Sequence, residues 1–396
     1  MNRYKKTRWL VVLGAVLVQI CLGSIYTWSL FNQPLIDKFG WDQSAIVLTF
    51  SITVAMFAFS TIFAGKLQNK IGPKKVAILG GLLLGIGLIL SSKATSLIEL
   101  YIYFGVIGGT GVGTAYVAPL TTCIKWFPDK RGFITGIAVS SFGLGSLIFK
   151  SLVLDLILTK GVSQTFLYLG VINLILIVLG AQTLSTPPTD YETTGVTEGV
   201  ESNSKDSTST QMISTKQFYL LWIVYFFGCI SGLLIIGLAQ DIGIDLVKLT
   251  PRTAASAITV IALFNAGGRL AWGVVSDKIG RKTSLLIIYL TTSIAMAIMS
   301  TITMNTVIFF VSVSMIALSF GGLVTVVPAI TADYYGVKNI ASNYGVVFQA
   351  FGIAAIAGPI IATNFGLNNS FLIAAALSIF SMIITIFIKP PFALSR

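Results

Sequence analysis

The stretch Asn265–Lys282, NAGGRLAWGVVSDKIGRK, sets an arginine inside an apolar helix and then ends that helix in a tight charged turn. Arg269 is the basic residue that the sequence places well inside a hydrophobic span. A guanidinium at bilayer depth costs at least ~2.5–3.5 kcal/mol even on insertion scales, so it normally faces a partner or a watery cavity. Two roles are open to it. It holds an anion, or, standing one helical turn before Gly273, it reaches toward the nearer surface and braces the turn.

The surrounding chain has the composition of an integral membrane protein. Hydrophobic residues make up 55% of its 396 positions and charged residues only 10%, against about 25% charge in soluble domains. Mean hydropathy is +0.89. Apolar runs of about 20 residues, long enough to cross a ~30 Å hydrocarbon core, recur along the whole chain. Twelve are expected, near 9–31, 44–65, 76–92, 98–121, 133–154, 164–184, 218–239, 253–274, 283–302, 305–328, 342–363 and 370–388. The first follows a basic start (Arg3, Lys5, Lys6, Arg8), but it is too long for a signal-peptide core and shows no small-residue cleavage pattern.

The net charge of +12 does not point to nucleic acid, because the lysines and arginines sit in short clusters between spans. With the N-terminus inside, about 19 of the 26 Lys and Arg fall on that side and about six on the other, which predicts a multi-pass cell-membrane protein with both termini cytoplasmic. The chain has no histidine, and Cys21, Cys123 and Cys229 are too few and too deep in apolar surroundings for a disulfide framework or a metal cluster. No cofactor or metal is expected. A membrane enzyme would need a nucleophile, metal or acid/base pair within reach of each other, and the lack of any His and of a buried carboxylate weighs against it. A transport-like sensor would be marked by a signalling partner domain or a long structured tail, and neither is expected from these residues.

Between the sixth and seventh spans, residues 185–217 are rich in Ser, Thr and acids and bury too little apolar surface to fold alone. They predict a cytoplasmic linker between two bundles, 1–184 and 218–396. The halves superpose at a shift of roughly 208 or 209 residues, which sets Gly65, Gly72 and Lys74 on Gly273, Gly280 and Lys282, and Cys21 on Cys229. Pro119 then falls on Pro328, Trp126 on Tyr335 and Gly136 on Gly345. Parallel six-helix repeats predict a transporter that binds between the repeats and rocks.

Gly65–Lys75 (GKLQNKIGPKK) and Gly273–Lys282 (GVVSDKIGRK) resemble the loop between the second and third helices of each half in the major facilitator superfamily, a resemblance that covers essentially the whole chain. It implies an all-α fold of twelve transmembrane helices in two six-helix repeats. Gly65, Gly72, Lys74, Gly273, Asp277, Gly280 and Arg281 are then its gating-loop residues. Asn69 stands where the family usually has Asp, so a weaker charge relay is expected in the first half. Ile25–Leu35 (IYTWSLFNQPL), Lys125–Ile137 (KWFPDKRGFITGI) and Asn343–Gly352 (NYGVVFQAFG), with NAGGRL, resemble the branch of oxalate/formate antiporters and monocarboxylate transporters.

In that branch a helix 8 arginine binds the substrate carboxylate, and Arg269 matches it. The oxalate exchangers carry a helix 11 lysine in a pattern resembling YTAKG, where this chain has Phe351. One cation cannot pair both ends of a dicarboxylate, which implies a monocarboxylate. Asn265, one turn before Arg269, is placed to hydrogen-bond a 2-oxo or 2-hydroxy group. By resemblance Tyr116 reaches the carboxylate and Phe348 and Phe351 wall the methyl end. Tyr26 and Trp28 line the pocket or anchor the outer interface. Glu99, Asp155, Asp241, Asp245 and Asp333 lie near span ends or in loops, and Lys150 with Asp155 reads as an exposed pair. With no buried acid to carry a proton, two couplings stay open: a proton moving with the anion, or anion exchange. The expected partners are thus a small monocarboxylate, a proton and the lipid bilayer, and the expected state is a monomer. The alternative is an oxalate/formate-type organic anion exchanger.

Overall fold

The computed structural model describes residues 2–188, 191 and 206–391. Linker residues 189–190 and 192–205 and the side chain of Asp241 lie outside the described residues. In chain order the helices are α1 (Asn2–Gly23), α2 (Ser29–Phe39), α3 (Gln43–Ile71), α4 (Pro73–Ser91), α5 (Leu97–Leu100), α6 (Gly109–Trp126) and α7 (Arg131–Ala181). After the linker come α8 (Ser209–Ile213), α9 (Lys216–Asp245), α10 (Pro251–Ile279), α11 (Arg281–Thr301), α12 (Thr306–Tyr335), α13 (Ile340–Val347) and α14 (Gln349–Phe387). Among the described residues eleven helical segments are long and apolar enough to cross a membrane. One of these, α7, runs 51 residues and is divided at Gly161, which makes twelve spans.

Single glycines form many of the joints. Gly72, Gly161, Gly280, Gly336 and Gly366 share one conformation, φ between +73° and +88° and ψ between 154° and 168°. Essentially only glycine populates that region, since a Cβ would clash with its own backbone. Gly72 and Gly280, chosen from the repeat, are thus true turn residues.

The first expected span is not one helix. α1 stops at Gly23, Ser24–Thr27 form a 3₁₀ turn and α2 restarts at Ser29. The Thr27 hydroxyl donates to the Ser24 carbonyl at 2.7 Å, a local bond that competes with the helical ladder. The fourth span is also irregular: Ser96 and Glu99 cap its start reciprocally, and Tyr101–Gly108 form a π-helix before α6. Trp28 is buried among Phe31, Phe104 and Phe166, with Phe104 at 4.4 Å between centroids, so it is a packing residue and no interface anchor.

The chain forms two compact units. One contains Met1–Asp129, Ser141–Val196 and Asn339–Gly352, and the other contains Lys130–Ser140, Thr197–Lys338 and Ile353–Arg396. In the first, the linker's start is pinned where Trp126 donates to the Ser185 carbonyl at 2.6 Å and Tyr191 stacks edge-on against Trp126. In the second, its end is pinned where Ser207 N–H donates to the Tyr335 carbonyl at 3.0 Å and Met212 is fully buried.

Candidate functional site

α10 begins with a Thr250 cap and a proline, and its last turn ends at Gly280. About three turns before that end, Arg269 is 5% exposed. Its guanidinium donates through Nη1 to the carbonyl of Val139 on the first part of α7. One residue on, the Ser140 hydroxyl donates to the Ala266 carbonyl at 2.9 Å. Asn265 is 7% exposed, and its side-chain oxygen has no hydrogen-bond partner among the described residues. A buried amide oxygen without a donor costs about 1–3 kcal/mol, so it suits a site completed by something else. Arg269 and Asn265 share one face of α10, as their spacing predicted.

The turn after α10 is a charge network. The Asp277 carboxylate accepts from the Gly132 and Phe133 backbone N–H groups at 2.9 and 2.8 Å, so it caps the N-terminus of α7 and meets its positive dipole end. Arg281 pairs with Asp277 at 2.6 Å and with Asp333 at 3.0 Å, and Arg131 pairs with Asp333 at 2.7 Å. Arg281 also donates to Ser276 at 2.7 Å. Sequence reading placed Asp277 and Arg281 here but missed Arg131 and Asp333, whose signal was only a KRGF cluster and a lone acid at a span end. Lys282 donates to the Ile386 carbonyl near the end of α14, which satisfies an orphan helix-end oxygen.

In the corresponding turn of the other compact unit the neutral Asn69 stands at the position of Asp277. Asn69 donates to the Ser342 hydroxyl at 3.1 Å and approaches the Asn339 side-chain oxygen at 3.4 Å. Lys74 is exposed at the start of α4. Gly65 lies against the backbone of Ala341, where a Cβ would fall 2.2 Å from its carbonyl oxygen.

The same unit gathers the aromatics. Tyr116, Phe348 and Phe351 are buried and Tyr26 is partly buried. Two residues that the sequence did not single out join them: Phe57 lies 5.1 Å from Tyr116 and 5.2 Å from Phe348, and Phe142 lies 5.4 Å from Tyr116 and 5.3 Å from Tyr26. Phe348 and Phe351 stack at 4.9 Å. The result is an apolar wall with tyrosine as its polar member. Lys150 and Asp155 are both exposed and are not among the ion pairs of the described residues. Among the described residues no group of three or more His, Cys, Asp or Glu is arranged to hold a metal.

The family model described as Major Facilitator Superfamily matches residues 11–239 and 221–396. An MFS-type transporter of Escherichia coli strain K12, YhjX, is 38% identical over 90% of this chain and 87% of its own length. The oxalate:formate antiporter of Oxalobacter formigenes is 31% identical over 97% of this chain and 92% of its own. Apicoplast pyruvate carrier 1 of Toxoplasma gondii is 25% identical over 87% and 81%. Mammalian monocarboxylate transporters are further relatives. These relatives are transporters and not enzymes. Twelve spans, a repeated glycine turn and a family model matched from residue 11 to the last residue lead to one conclusion: the chain belongs to the Major Facilitator Superfamily, as a relative of the oxalate:formate antiporter and the monocarboxylate transporters.

Proposed function

We propose that this chain is a secondary active transporter of small monocarboxylates of the lactate, pyruvate or formate class. It works by alternating access between six-helix halves at 1–184 and 218–396, with 185–217 as the linker. The observation that carries the reading is Arg269, buried in a membrane span and turned toward a backbone carbonyl instead of lipid. Arg269 holds the carboxylate, and Asn265, whose side-chain oxygen lacks a partner, reads the group at carbon 2. Tyr116 supplies a hydroxyl to the carboxylate, and Phe348, Phe351 and Tyr26 enclose the short apolar tail. A relative named as a pyruvate carrier supports the substrate class. The protein sits in the cell membrane as a monomer with both termini cytoplasmic, a topology carried by the uneven distribution of Lys and Arg.

A second reading, an oxalate/formate-type organic anion exchanger, draws on the relative of that name at 31% identity. Phe351 weighs against the dicarboxylate half of it, because an aromatic cannot pair a second carboxylate.

The test is uptake of labelled pyruvate and L-lactate into proteoliposomes, with and without an inward proton gradient and with and without unlabelled anion inside. Acceleration by the gradient alone establishes symport, and a requirement for internal anion establishes exchange. If neither acid moves under any condition, the substrate class is wrong.

A further inference from the structure

The candidate anion site and the charged turn belong to one helix contact. Arg269, Gly273 and Asp277 follow at four-residue spacing on α10, and the first turns of α7 lie against all three. At the lower end Asp277 accepts from Gly132 and Phe133 N–H. In the middle the backbones touch: a Cβ on Gly273 would fall 2.5 Å from the Gly132 oxygen, and one on Gly136 would fall 2.6 Å from the Arg269 oxygen. At the upper end Arg269 donates to Val139 and Ser140 donates to Ala266.

The first compact unit contains a counterpart between α3 and the segment 341–349. Asn69 donates to Ser342, and Gly65 lies on Ala341 as Gly345 lies on Thr61. The Thr61 hydroxyl donates to the Gly345 carbonyl at 3.1 Å, and Gln349 donates to the Ala58 carbonyl at 2.7 Å. Position by position the two contacts correspond through the repeat shift: Asn69 with Asp277, Gly65 with Gly273 and Thr61 with Arg269, and Ala341 with Gly132, Gly345 with Gly136 and Gln349 with Ser140. Two of the three glycines are kept, Ala341 standing at the place of Gly132, whereas both charged positions of the α10 contact are neutral in the α3 contact.

We infer that the α10–α7 contact is a substrate-responsive latch and the α3–α13 contact is an indifferent one. A carboxylate binds a guanidinium more strongly than a neutral carbonyl does, and often through two parallel bonds. A substrate anion that takes up Arg269 therefore competes with the Val139 carbonyl. It loosens the upper end of the contact whose lower end Asp277 caps, and no relay of intermediate residues is needed. Thr61 carries no charge, so the same anion has no purchase on the other contact. The substrate half of this inference rests on the carboxylate role of Arg269 proposed above, while the mechanical half rests on the geometry alone.

Hydrogen–deuterium exchange read by mass spectrometry on the full-length protein in detergent tests both halves. Without any acid, Arg269→Met is expected to speed exchange in residues 131–140 by about threefold or more and to leave 340–347 unchanged. Thr61→Val is expected to leave 131–140 unchanged. Asp277→Asn removes the cap at the other end and serves as a second variant should Arg269→Met fail to fold. Unchanged exchange in 131–140 in the folded variants overturns the latch. In the wild type, saturating L-lactate or pyruvate is expected to speed 131–140 and not 340–347, alongside a thermal shift that reports binding. A thermal shift with no change in exchange, or with an equal rise in both segments, overturns the coupling. If the acids give no thermal shift while Arg269→Met still loosens 131–140, the monocarboxylate reading fails and the latch stands.

Discussion

Phe351 stacks on Phe348 with ring centroids 4.9 Å apart and planes 11° from parallel. The position that by resemblance corresponds to the helix 11 lysine of the oxalate exchangers is filled here by one half of an aromatic pair. Phe351→Lys is expected to shift preference toward dicarboxylates, and unchanged competition by oxalate in a pyruvate uptake assay would show that the helix 11 correspondence is mistaken. The same substitution breaks the stack and buries an ammonium, so about 2–4 kcal/mol of lost stability should accompany the change.

Arg269→Gln keeps a donor near the Val139 carbonyl and removes the charge. It is expected to abolish stabilisation of the protein by monocarboxylate in a thermal-shift assay while the ligand-free melting temperature moves by only a few degrees. Stabilisation by lactate or pyruvate that survives in this variant would contradict the carboxylate role.

Asp333 holds two arginines, Arg131 and Arg281. Asp333→Asn leaves both guanidinium groups, each under 15% exposed, competing for the remaining Asp277 carboxylate. The cost is expected to lie between that of an exposed pair and that of a buried one, about 1–3 kcal/mol. Asp155→Asn, on an exposed residue outside these pairs, should stay within about 0.5 kcal/mol. Equal melting temperatures for the two variants would rule out a stabilising role for the network.

Gly267 and Gly268 are neighbours on α10 with opposite surroundings. A Cβ on Gly268 would fall 2.2 Å from the Leu318 carbonyl oxygen, while one on Gly267 meets nothing within 4 Å. Gly268→Ala should therefore destabilise by about 1–3 kcal/mol through overpacking, and Gly267→Ala should be neutral or stabilise by up to ~1 kcal/mol through helix propensity. Thermal unfolding of the two single variants decides this, and a costly Gly267→Ala would mean the face is covered.

What the sequence made legible was whatever breaks an apolar background. Arg269 stands out because a charge in a span is expensive, and Gly72 and Gly280 stand out because they recur at the repeat interval. Phe57 and Phe142 were invisible for the opposite reason: an aromatic in a hydrophobic helix has the same hydropathy whether it faces a pocket, a neighbour or lipid. The pairing of Arg131 with Asp333 crosses 202 positions of chain, and no local pattern announces it. The break at Ser24–Thr27 was hidden because 3₁₀ and α turns share one apolar composition over so short a stretch. Trp28 matched an interfacial pattern, yet Phe104 and Phe166, from distant segments, bury it.

The one-residue joints at Gly161 and Gly366 leave almost no sequence to spare between successive spans. An epitope or fluorescent reporter spliced at either point would have to pry two helix ends apart. The segments at Lys93–Thr95 and Ile302–Asn305, which lie between helices, offer slack instead. Engineered sidedness probes, and any antibody raised to the intact protein, should find their footholds there and not at the glycines.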